Sequence, residues 1–196
     1  MKRLLILRAS CDILPCEINH IGSIADLFGM QHDFVEIGAA DEFQTKLQDM
    51  GGYDYIYLCA HANLDGFGNA TGAHFVKWDD FAATLCNTQS FNPQSVLLLA
   101  CCRGGMKSVA QKLFMACEKI SYVCGPKWEV DQDVLSAGFH VFLYNIEKRR
   151  EQPNIAAVRS SQGTGYEFFC YDRIENDDAM LLCPVFNMAM RQSSSG

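Results

Sequence analysis

YDYIYLCAHAN, residues 53–63, and SVLLLACCRGG, residues 95–105, are two apolar segments that each end near a reactive side chain. A short continuous apolar run is typical of a strand that is buried on both faces of a sheet. The first segment leads to His61, and the second leads to Cys101 and Cys102. Functional sites of open α/β sheets lie beyond the carboxyl ends of the parallel strands. We therefore expect an imidazole and a thiol to meet there, as a cysteine nucleophile and its base.

Apolar runs alternate along the chain with amphipathic stretches of helical period, which is the pattern of an α/β domain. Strands are predicted at residues 4–7, 33–37, 55–60, 96–100, 121–124, 166–171 and 180–186. Helices are predicted at residues 18–28, 41–50, 78–85, 108–117 and 134–149, with a loop at 63–72. We expect one domain over residues 1–190, with a mostly parallel central sheet flanked by helices, and a disordered tail at 191–196.

The composition limits the possible partners. The chain has 196 residues, of which 49% are hydrophobic, and this is enough for a substantial core. Its net charge is -7 and it has no long basic run, so the sequence predicts no nucleic-acid partner. The apolar stretch before Arg8 is too short for a signal-peptide core or a membrane span, so no membrane association is expected.

The ten cysteines of the chain include no Cys-x-x-Cys pair. Several of them, such as Cys59, Cys124 and Cys170, lie inside apolar runs, where a reduced cysteine behaves as a small hydrophobic residue. Reduced thiols are typical of the cytoplasm. The cysteine pattern therefore favours a reduced, cytoplasmic protein over a disulfide-stabilised secreted one.

Three segments of the chain together resemble a known family. LLLACCRGG, residues 97–105, resembles the nucleophile strand of the caspase-like clan of cysteine peptidases, and IYLCAHAN, residues 56–63, resembles the strand that ends in the clan's catalytic histidine. The third segment is YVCGPKWEVDQDVLSAGFHVFLYNI, residues 122–146. It resembles a pattern of the CHAT family in which a strand is followed by Trp-x-Val-Asp and then by a helix. The resemblance covers roughly residues 53–171. It implies a caspase-like three-layer sandwich and a thiol protease with a Cys-His dyad, which needs no cofactor.

The resemblance assigns His61 as the base and Cys101 as the nucleophile, because Cys101 follows Ala100 and precedes a glycine by three positions. Cys102 is the alternative nucleophile, since it begins the caspase-like triplet Cys-Arg-Gly. The length of the preceding strand favours Cys101. A free thiol is mostly protonated at neutral pH, so it needs a nearby base, cation or helix N-terminus, and His61, Arg103 and the following helix could supply these.

The resemblance also assigns the oxyanion hole and a substrate pocket. The backbone N–H groups of Cys101 and Ala62 would bind the oxyanion, although the family usually has glycine at the position of Ala62. Asp131 and Asp133 would select a basic substrate side chain, and Trp128 would form a wall of that pocket. The alternative is that either aspartate only caps the following helix.

The sequence is compatible with more than one function. The resemblance implies a protein substrate, a regulatory protein partner and a role in bacterial antiviral defence. A catalytically inactive caspase-like domain that serves as a scaffold is the main alternative, favoured by Ala62. A flavodoxin-like ligand-binding domain would need a glycine-rich loop after the first strand, and residues 8–12 contain no glycine. A zinc site of His61, Cys101 and Cys102 is disfavoured, because adjacent cysteines rarely give tetrahedral geometry.

Overall fold

The computed structural model describes residues 1–39, 41–48 and 50–175, apart from the side chains of residues 89, 90 and 93. The strands are β1 (Arg3–Arg8), β2 (Gln31–Glu36), β3 (Gly51–Cys59), β4 (His61–Ala62), β5 (Gly66–Gly68), β6 (Phe75–Lys77), β7 (Gln89–Ala100), β8 (Tyr122–Pro126) and β9 (Phe168–Asp172). The helices are α1 (Pro15–Phe28), α2 (Glu42–Leu47), α3 (Trp78–Asn87), α4 (Lys107–Ala116), α5 (Gln132–Glu147) and α6 (Pro153–Thr164).

The main sheet has six strands in the order β2-β1-β3-β7-β8-β9. Neighbouring strands run parallel from β2 to β8, and β9 pairs antiparallel with β8 at one edge. A second, small antiparallel sheet consists of β4, β5 and β6. The predicted α/β class with a mostly parallel central sheet flanked by helices is confirmed.

Two apolar cores lie on opposite faces of the main sheet, because side chains of a strand alternate between its faces. In β3, Tyr55 and Tyr57 pack with α1, α5 and α6, whereas Ile56 and Leu58 pack with α2, α3 and α4. Burial on both faces explains why these strands are continuous apolar runs in the sequence. None of the helices in the described ranges is long and apolar enough to cross a membrane.

The register of the sheet brings three strand ends together. Cys59 at the end of β3 pairs with Ala100 at the end of β7, and Arg8 at the end of β1 pairs with Cys59. The chain therefore leaves β1, β3 and β7 at the same level of the sheet. Residues that follow these strands, among them His61 and Cys102, lie at a common carboxyl end, as the sequence predicted.

Only β5 of the small sheet lies within the predicted loop at 63–72, since β4 precedes that loop and β6 follows it. The strands of this sheet are only two or three residues long, and they depend on close approach of the backbones. A Cβ atom added to Gly66 would lie 2.1 Å from the carbonyl oxygen of Val76, and one added to Gly68 would lie 1.8 Å from that of His74. Glycine is therefore required at both positions.

Most predicted elements are present, with ends shifted by a few residues. Besides the small sheet, two regions differ. β7 begins at Gln89, earlier than predicted, and the register between β3 and β7 shifts near Gln94, whose φ is 65°. α6 was not predicted. The predicted strand at 180–186 and the predicted tail at 191–196 lie outside the described residues.

Candidate active site

A cleft of about 380 Å³ opens at the carboxyl ends of β3 and β7. It is lined by His61, Ala62, Cys102, Glu129, Val130, Asp131 and Tyr166. These residues come from β4, from the turn after β7, from the segment between β8 and α5, and from the segment before β9. Several residues predicted from the sequence therefore meet in one place.

The structure separates the two adjacent cysteines. Cys101 is 1% exposed and packs in the core beneath the cleft, where burial raises the pKa of its thiol well above the ordinary value. Cys102 is partly exposed and lines the cleft, and its thiol lies 3.9 Å from the carbonyl oxygen of Val130. This placement favours Cys102, the alternative nucleophile, over Cys101. A buried thiol that resists ionisation is a poor nucleophile, whereas Cys102 shares the cleft with His61.

The tight turn after β7 directs Cys102 outward. Arg103 has φ of 62°, a left-handed conformation that costs a residue with a side chain about 1 kcal/mol or more. Its N–H donates to the carbonyl oxygen of Trp128, and its guanidinium pairs with Glu129 at 2.9 Å. Gly104 packs its backbone against Leu99, so no side chain could fit there. These contacts fix the turn against the segment that follows β8.

Asp12 contacts His61, which lines the cleft, and the sequence analysis did not identify it. It lies in the loop after β1, and its Oδ2 is 2.9 Å from Nε2 of His61. A hydrogen bond from the Ser10 hydroxyl, a backbone hydrogen bond and the nearby His61 hold the pKa of Asp12 below its ordinary value, despite partial desolvation. An ionised Asp12 accepts a hydrogen bond from the Nε2–H of His61, which leaves Nδ1 as the nitrogen without a proton.

The backbone N–H of Ala62, which was predicted to bind an oxyanion, takes no part in the ladder between β4 and β5. Hydrogen-bonded and non-hydrogen-bonded pairs alternate along antiparallel strands. Asn63 donates its N–H to Gly66, so the neighbouring pair, Ala62 with Phe67, is non-hydrogen-bonded and the N–H of Ala62 points away from β5. Ala62 also does not adopt a positive φ, so alanine in place of glycine causes no backbone strain.

The residues that were predicted to select the substrate do not all line the cleft. Asp131 lines the cleft at the N-cap position of α5, where its side chain makes no capping hydrogen bond within the described residues. Asp133 lies two residues further on and lines a separate groove between α1 and α5. Trp128 is 53% exposed beside the cleft, and its indole N–H donates to Glu167. Asp131 and Glu129 therefore give the cleft an acidic wall.

Comparison with known proteins adds no assignment: no family model matches the sequence, and no curated protein matches it. The resemblance to caspase-like peptidases thus depends on the segments around His61, Cys101 and Trp128. Over the described ranges, no group of three or more His, Cys, Asp or Glu side chains is arranged to hold a metal ion.

Proposed function

We propose that the chain is a caspase-like cysteine endopeptidase in which Cys102 is the nucleophile, His61 the general base and acid, and Asp12 the residue that orients His61. The observation that carries this proposal is that Cys102 and His61 line one cleft, while Nε2 of His61 is 2.9 Å from Asp12. The adjacency of β3 and β7 supports it, since it places both side chains at the same carboxyl end.

The reaction would proceed through a thioester. The Cys102 thiol transfers its proton to Nδ1 of His61, and the sulfur attacks the peptide carbonyl carbon, forming a C–S bond. The N–H of Ala62 stabilises the oxyanion. His61 then protonates the amine as the C–N bond breaks, and the amine product leaves. Water, losing its proton to His61, hydrolyses the thioester, which releases the carboxylate product and restores the Cys102 thiol.

The carboxylates of the acidic wall favour a substrate that has a basic side chain. Asp131 and Glu129 lie in the cleft beside Cys102, and both are exposed. An Arg or Lys side chain of a protein substrate would form charge-assisted hydrogen bonds with Asp131. Glu129 already pairs with Arg103, so Asp131 is the available carboxylate of the two. The regulatory partner and the role in antiviral defence are further implications of the family resemblance.

The ligand-binding alternative is less well supported. The five parallel strands follow the order of a flavodoxin-like sheet, whose phosphate site lies beyond β1. Here the loop after β1 contains Asp12, a carboxylate that would repel a phosphate group. The same loop contributes instead to the cleft through its contact with His61.

Labelling of the native chain with peptidyl acyloxymethyl ketones tests the proposal. We expect an adduct on Cys102, mapped by peptide mass spectrometry, and about tenfold faster labelling by an Arg-containing probe than by an Asp-containing one. The adduct should be lost in His61→Ala, and the preference for Arg should be lost in Asp131→Asn. An adduct on Cys101 would assign the nucleophile to that residue, and the absence of any selective adduct would favour the inactive scaffold.

Asp12→Asn should slow labelling of Cys102 by roughly 10-fold to 100-fold, because the imidazole loses its charged orienting partner. Imidazole ¹⁵N NMR should also show a smaller fraction of the Nε2–H tautomer of His61, which a purely structural role of Asp12 would not change. Asp26→Asn is the matched control, since Asp26 contacts His32 on the surface at 3.3 Å, away from the cleft. Equal labelling rates for both variants would exclude an orienting role of Asp12.

A further inference from the structure

Two cysteines outside the cleft face each other across the edge of the main sheet. Cys124 of β8 pairs with Cys170 of β9 in the antiparallel register. Both side chains point to the same face, since Cys124 is part of the core beneath α5 and α6 and Cys170 packs against that core. The proposed peptidase mechanism uses neither thiol.

The register places these cysteines at a position where cross-strand side chains come closest. Lys127 donates its N–H to the carbonyl oxygen of Glu167, which makes that pair hydrogen-bonded. Three pairs further along the alternating ladder, Cys124 and Cys170 form a non-hydrogen-bonded pair. The Cα atoms of such a pair are about 4.5 Å apart, within the range that a disulfide can bridge.

The two thiols differ in their access to solvent. Cys124 is fully buried, whereas Cys170 is partly exposed and lines a surface groove of about 410 Å³ beside α6. Desolvation, followed by interaction with the neighbouring Cys170 thiol, raises the pKa of Cys124 well above its ordinary value. Cys170 is therefore the thiol that a solution oxidant reaches first.

We propose that Cys124 and Cys170 form a reversible disulfide when the chain meets a low-molecular-weight disulfide such as oxidised glutathione. The Cys170 thiolate attacks one glutathione sulfur, and the first glutathione leaves as a thiolate. Cys124 then loses its proton and attacks the Cys170 sulfur, which displaces the second glutathione. One glutathione disulfide is reduced to two glutathione molecules, and the two protein thiols are oxidised to one disulfide.

The disulfide would join β8 to β9 next to the cleft. The chain leaves β8 toward Trp128, and it enters β9 from Tyr166 and Glu167. Trp128 donates to Glu167, and Tyr166 lines the cleft, so these two segments form one wall of the candidate active site. Oxidation would hold these two segments together, whether or not the cleft catalyses peptide hydrolysis.

The test is to incubate the full chain with oxidised glutathione and to map its disulfides by non-reducing peptide mass spectrometry. We expect one intramolecular link, Cys124–Cys170, that dithiothreitol removes. The melting temperature should rise by roughly 5–10 °C on oxidation, because the link closes a long loop. Cys170→Ser should abolish both effects.

Cys86→Ser provides the matched control, because the Cys86 thiol neighbours that of Cys117, which follows α4, and these two cysteines lack a cross-strand register. This variant should keep the Cys124–Cys170 link and the rise in melting temperature. Three results with the wild-type chain would each overturn the proposal: a link between Cys86 and Cys117 alone, a stable glutathione adduct on Cys170, or an unmodified Cys170. Neither the disulfide map nor the melting temperature depends on catalytic activity. Both therefore test the disulfide even if the proposed peptidase function is wrong.

Discussion

Cys102→Ala should lower the rate of hydrolysis of an Arg-containing fluorogenic peptide by at least about 10³-fold, because it removes the nucleophile of the proposed mechanism. Its fold should be retained, since the side chain of Cys102 is only partly buried and lies on the wall of the cleft. The rate of hydrolysis and the free energy of unfolding are measured on the same sample, the latter by urea denaturation. Together they distinguish loss of the nucleophile from loss of the fold.

Cys101→Ala is the matched control at the adjacent position. Cys101 lies in the core with its thiol near Gly104, so its truncation should lower the free energy of unfolding by about 1 kcal/mol. Its rate of hydrolysis should stay within about threefold of that of the wild type. The reverse result, in which Cys101→Ala abolishes hydrolysis and Cys102→Ala does not, would show that the turn rearranges to expose Cys101.

The strands that carry the site were predictable because their burial on both faces leaves a continuous apolar run. α6 was missed because its buried face consists of small residues, Ala156, Ala157 and Ser160, which give little hydrophobic periodicity. Pro153 in its first turn and Gly165 as its left-handed C-cap were the available signals. The small sheet was missed because its strands are too short to show an alternating pattern.

From the sequence, the proposed nucleophile was predictable only to within one residue. Counting along β7 locates the end of the strand at Ala100, but it does not show which of the next two side chains turns into the core. That depends on the left-handed Arg103, a conformation that is rarely inferred for a residue other than glycine. The partnership of Asp12 with His61 depends on the order of the strands, which places β1 beside β3.

Gly105→Ala should destabilise the chain by at least about 3 kcal/mol, with a matching fall in the urea midpoint. A Cβ atom at this position would lie 2.0 Å from the carbonyl oxygen of Gly125 in β8, and the N–H of Gly105 donates to Pro126 at 2.8 Å. Backbone surrounds the added atom, so no flexible side chain can move aside. The turn would have to leave β8, and Cys102, which the turn carries, would leave the cleft wall.

Gly163→Ala distinguishes this steric effect from a general cost of replacing glycine. Gly163 lies in α6, where an added Cβ would be 3.4 Å from the nearest side-chain atom of Val141, an ordinary contact. Alanine favours the helix over glycine by about 0.5–1 kcal/mol, so this variant should be as stable as the wild type or slightly more so. Wild-type stability of Gly105→Ala would mean that the turn after β7 does not pack against β8. The placement of Cys102 in the wall of the cleft would then lose its structural basis, because the same packing holds Cys101 in the core and Cys102 at the surface.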